Sequence, residues 1–141
     1  MNKPAGMPQP DAKALRTSIL DLHRELLNSQ VIEVERATGR AMGPNDILKS
    51  ALEDPRFAWL RDLSGLAADL DAEISEAKSE GRKPNTDPSV ARATFLIAPP
   101  DQNDPFGALY LRSLQRNPGV VMAHRDLLAL IEPQQLSPTS H

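Results

Sequence analysis

The chain reads as an all-α protein, an irregular helical bundle with two long antiparallel helices and three to four shorter ones. Three observations predict it. The apolar content is mostly leucine and alanine, with valine and isoleucine scarce, a balance that favours helix over sheet. Two long stretches carry apolar residues at the helical spacing of three and four. The pairs Asp54-Pro55, Asp87-Pro88, Asp104-Pro105 and Asn117-Pro118 each look like a helix start. There the Asp or Asn side chain can cap the first turn, and the proline loses no needed donor.

The elements follow in order. Residues 1–10 form a Pro-rich leader, expected to be flexible, without the apolar core of a signal peptide. The single domain spans 11–131. Its first helix runs from Asp11 to Ala37 and ends near Gly39; Leu15, Ile19, Leu22, Leu26, Leu27, Val31 and Val34 share one broad face. A shorter helix over 44–53 carries Ile47, Leu48, Ala51 and Leu52. The third, over 55–80, has the stripe Trp59, Leu60, Leu63, Leu66, Ala67, Leu70 and Ile74. Its other face holds Ala58, Gly65, Ala68 and Ala72, small enough to admit a second neighbour, which would make this helix central.

Gly81 to Asp87 is a loop. Residues 90–98 read as a short helix, although Thr94-Phe95-Leu96-Ile97 also fits a strand. Helices over 105–116 and 118–131 complete the domain, with Phe106, Leu109, Tyr110 and Leu114 on the first and Val120, Val121, Leu127, Leu128 and Ile131 on the second. The polar tail, 132–141, is expected to be disordered.

Composition excludes several classes of function. The 141 residues include no cysteine, so there is no disulfide scaffold, thiolate metal site or cysteine nucleophile. A net charge of −3, with acids interspersed among the arginines, argues against a nucleic-acid partner. No segment approaches the roughly 18 apolar residues that span a bilayer, so no membrane partner and a cytoplasmic location are expected. Serine elbows, phosphate loops and dinucleotide glycine fingerprints are missing from the sequence, and no catalytic residue is assigned.

What remains is histidine, arginine and a few aromatics. His23 and His124 each fall inside an apolar helix face. Either each is a core histidine with one hydrogen-bond partner, or the two approach each other across the bundle and hold a ligand. Two opposed imidazoles can ligate haem iron, the one cofactor alternative where none is otherwise expected. No zinc or di-iron site is expected, because structural zinc wants four ligands and no Glu-x-x-His pair occurs. Arg16, His23 and Gln30 are seven apart and line up along the first helix, as a buried network, a pocket lining, or side chains reaching solvent at its edge. Trp59 lies on the main stripe and belongs to the core. Phe57 points away from it and either packs under the loop or, with Arg56 and Arg61, is a candidate interface anchor.

The block Asp54-Pro55-Arg56-Phe57-Ala58-Trp59-Leu60-Arg61-Asp62-Leu63-Ser64-Gly65-Leu66 stands out. Leu22-His23-Arg24-Glu25-Leu26-Leu27 with Gly39-Arg40 adds to it, as does Tyr110 followed by Leu114-Gln115, Pro118 and Val120-Val121-Met122-Ala123-His124. Together these resemble a family of small uncharacterised bacterial cytoplasmic proteins built only from helices. The resemblance implies an all-α fold and supplies no reaction. The function expected is therefore a non-catalytic helical interaction module, binding a protein partner or self-associating through the third helix. The alternative is a small-ligand or haem-binding bundle using facing histidines.

Overall fold

Four of the helical elements start where the sequence places its Asx-Pro pairs. The computed structural model describes residues 9–97 and 103–132. Helix α1 (Ala12–Thr38) is capped by Asp11, whose carboxylate accepts from the Ala14 amide at 2.9 Å, and ends at Gly39 with φ 71°. That left-handed turn is why the residue after α1 is glycine. Helix α2 (Pro44–Glu53) ends at Asp54, which at once caps a 3₁₀ turn, Pro55–Leu60, by accepting from the Arg56 amide. Helix α3 (Arg61–Glu80) continues directly from that turn and stops at Gly81, φ 69°.

Helix α4 (Asp87–Ile97) resolves the helix-or-strand choice over 90–98 in favour of helix; residue 98 lies outside the described residues. It begins at Asp87 itself, with Pro88 inside the first turn, rather than being capped by Asp87. Helices α5 (Pro105–Arg116) and α6 (Pro118–Ile131) start as expected, with Asp104 accepting from Gly107 and Asn117 from Gly119. The fold is all-α: six helices and one 3₁₀ turn among the described residues.

α1 is the axis, packed between α6 and α3. Arg16, near its start, meets Asp71 in the second half of α3, whereas Gln30, near its end, meets Trp59 ahead of α3. The two long elements are therefore antiparallel. Every residue of the predicted α1 stripe is buried except Leu27, which is partly covered, and the α3 stripe is buried up to a partly covered Ile74.

A run of rings joins the 3₁₀ turn to the last two helices. Trp59 meets Phe106 edge-on at 5.5 Å, Phe106 stacks on Tyr110 at 5.7 Å, and Tyr110 lies 5.5 Å from the His124 ring. At the amino end of α6, Gly119 lies against the end of the Glu25 side chain of α1, which would have to turn aside for a Cβ there.

One expectation about α3 is corrected. Its small-residue face, Ala58, Gly65, Ala68 and Ala72, is exposed and not packed. Helix α2 docks on the 3₁₀ turn, beside α3 and not across it. The leader and tail expectations lie mostly outside the described residues. Within the leader, Gln9 is held in place: its side-chain oxygen accepts from the Thr86 amide at 2.7 Å and the Thr86 hydroxyl at 2.8 Å.

Candidate functional site

A groove opens where α1, α2 and α3 diverge. Its floor is made by the 3₁₀ turn. At three residues per turn, Phe57 stacks directly over Leu60, whereas an α-helix would rotate the two apart by about 60°. This brings Phe57 into the core at 1 % exposure, alongside Leu60 at 3 %. Phe57 is therefore no surface anchor. The sequence reading assumed α-helical rotation through Pro55–Leu60, and the tighter turn reverses where the ring points.

His23 and Leu27 of α1 form one wall, Ala51 and Leu52 of α2 a second, and Ser64, Gly65 and Ala68 of α3 the third. The volume is about 490 Å³, within the size range of binding pockets, and the lining is nearly all carbon. Arg61 holds the rim: its Nη2 donates to the Leu52 carbonyl at 2.8 Å, a cation at the carboxyl end of α2 that ties this helix to the start of α3.

Next to the groove, α2 is amphipathic yet has no buried residue, and Leu48 and Leu52 are 61 % and 67 % exposed. Only Ile47 of its large apolar residues packs against the core. Gly65 has nothing within 4 Å of where a Cβ would stand, so the wall there is a true hollow.

The row Arg16, His23 and Gln30 all faces the 3₁₀–α3 segment, but with separate partners. Arg16 pairs with Asp71 at 2.7 Å, Gln30 accepts from the Trp59 indole at 3.3 Å, and His23 lines the groove. His23 has no hydrogen-bond partner among the described residues, and burial lowers its pKa below the ordinary 6.5, leaving it neutral at pH 7. It is the one polar ring in an apolar surround.

His124 faces elsewhere. Its Nδ1 shares a hydrogen bond with the Tyr110 hydroxyl, and burial pushes the phenol pKa up and the imidazole pKa down, the latter opposed by Glu132. α6 meets α1 along Ser18, Asp21 and Glu25. His23 lies about 140–160° around the helix from those residues. The two histidines lie against different neighbours, His23 in the groove and His124 against Tyr110. Both fall on apolar faces of their own helices, but the wheel does not say which neighbour each face meets. Among the described residues no three His, Asp or Glu side chains gather where they could hold a metal, and no helix is long and apolar enough to cross a membrane.

Arg56 lies outside the groove, exposed and paired with Asp54 through Nη2 at 2.7 Å. That side-chain bond, with the Arg56 amide, holds the Asp54 carboxyl below its usual range. The features that sequence reasoning missed are the exposed Leu48 and Leu52, which it placed on this helix without distinguishing them from Ile47 and Ala51. Compared with family models, with curated proteins and with solved structures, the chain matches none.

Proposed function

We propose that the protein is a non-catalytic helical interaction module whose α1–α2–α3 groove docks an amphipathic helix. The observation that carries this is the uncovered apolar face of α2, where Leu48 and Leu52 stand in solvent beside a carbon-lined hollow. Helix-in-groove recognition uses apolar anchors at helical spacing set into such a surface. Arg61 serves this by fixing the α2 wall, and Phe57 by flooring the groove from within the core.

The test is amine-directed cross-linking in cells expressing wild type or Leu52→Glu, read by mass spectrometry. Adducts at Lys49 that disappear with Leu52→Glu are the expected result. Adducts indifferent to that substitution, or none, would remove the reading.

A second reading has one observation in its favour: the unpartnered neutral imidazole of His23 in the groove wall. A small apolar ligand with a single polar group fits that chemistry. Native mass spectrometry of freshly purified protein would then show an added mass that His23→Ala releases; a bare chain mass in both counts against it.

A further inference from the structure

Resting on the interaction-module reading, we propose that the helix docked in this groove is α2 of a second copy of the chain. Leu48 and Leu52 of each copy seat over Gly65 and Ala68 of the other in a two-fold pair.

The ridge and the hollow lie side by side on one face, which is the condition for an isologous contact. Leu48 and Leu52 are one helical turn apart and project as a pair of knobs, 61 % and 67 % exposed. The hollow is open, with nothing within 4 Å of a Cβ at Gly65, and Ala68 continues it one turn later. A monomer cannot close its own ridge onto its own hollow, because Arg61 fixes α2 by the Leu52 carbonyl and α2 itself forms the groove wall. A second copy can.

Both surfaces carry charge of both signs. Lys49 flanks the leucine ridge beside Leu48, as Glu53 does beside Leu52; Asp62 and Asp69, seven residues apart, lie on one side of Gly65 on α3 and Arg61 on the other. None of Lys49, Asp62 and Asp69 has an ion-pair partner among the described residues, whereas Asp54, Asp71, Glu73 and Glu33 are all paired within the chain. The two-fold exchange brings each Lys49 to the acidic flank of the other copy. Each contact is then made twice.

The experiment is sedimentation equilibrium of the full chain, with melting followed by circular dichroism. The wild type is expected to dimerise with a dissociation constant on the order of 1–100 μM. Gly65→Gln fills the hollow without touching the core, and Leu52→Glu charges the ridge; each should weaken the dimer by about tenfold or more, with no drop in the melting temperature of protein diluted below the dissociation constant. Lys49→Glu should weaken it too, and mixing that variant with Asp62→Lys/Asp69→Lys should restore a heterodimer. A wild type that stays monomeric to about 500 μM, or a dimer indifferent to Gly65→Gln, overturns the proposal. If a monomeric wild type still gives a Leu52-dependent adduct to another protein in cells, only the second-copy partner is overturned. Loss of that adduct as well removes the interaction reading itself.

Discussion

The two sides of α1 carry the same kind of apolar surface and are finished differently. Toward α5 and α6 the stripe is sealed: Tyr110, Val120 and Leu127 are fully buried, and three of the rings are supplied by α5 and α6. Toward α2 the cover stops short, leaving a groove with two exposed leucines beside it. What separates the sides is the length and placement of the covering helix. α5 and α6 together lie along α1, whereas the ten residues of α2 reach only the 3₁₀ turn. A closed side and an open side of one helix should respond to substitution in opposite ways.

The largest effect is expected on the closed side. Tyr110→Ala removes a fully buried ring that touches both Phe106 and His124, and should cost about 3–5 kcal/mol of unfolding free energy in a urea titration. Tyr110→Phe keeps the ring and removes the hydroxyl bonded to His124, at about 1–2 kcal/mol. Near-equal losses for the two would show that the hydrogen bond, not the packing, holds this side closed.

Acid should weaken both sides, through one histidine on each. Burial lowers the folded pKa of His23 and His124 below the ordinary 6.5 that each has when unfolded. As pH falls through 6.5 the unfolded chain takes up more protons than the folded one, so stability, complete above that pH, declines below it until the folded values are reached. Urea titrations from pH 7.5 to 5 should show this decline, and His23→Gln and His124→Gln should each flatten it. A flattening by His124→Gln alone would mean that the groove is too open to keep His23 neutral.

Much of this was legible in the sequence. Asp54, Asp104 and Asn117 cap the elements they were expected to cap, Gly39 and Gly81 end the long helices, and the wheel of α1 separates Leu15, Ile19, Leu22 and Leu26 correctly from their exposed neighbours. These are local rules, fixed by hydrogen bonds within one turn. Pairing between helices was not legible. His23 and His124 each lie on an apolar face, as the periodicity says, yet meet different neighbours. Phe57 moved inward because a six-residue 3₁₀ turn replaced α-helix, a choice that periodicity over one turn cannot detect. The small face of α3 indicated close approach, and among the described residues it stands exposed, with nothing within 4 Å of a Cβ at Gly65.

On that open face a gain is expected. Gly65 sits mid-helix with an ordinary backbone and free space where a Cβ would be, so Gly65→Ala should raise stability by about 0.5–1 kcal/mol through helix propensity alone. Thermal melting of dilute protein would measure it. A loss instead would mean that the face is covered even at low concentration, which is how a very tight dimer would show itself.

The smallest effect is the most discriminating. Leu48→Ser and Leu52→Ser remove exposed side chains from a helix that has no buried residue, so unfolding free energy at submicromolar concentration should change by less than about 0.5 kcal/mol. The same urea titration at high concentration should show them less stable than wild type, because association adds to the stability of the folded wild type and not to theirs. A concentration-independent loss of several kcal/mol would place these leucines in the core of the monomer. The open side of α1 would then be closed after all.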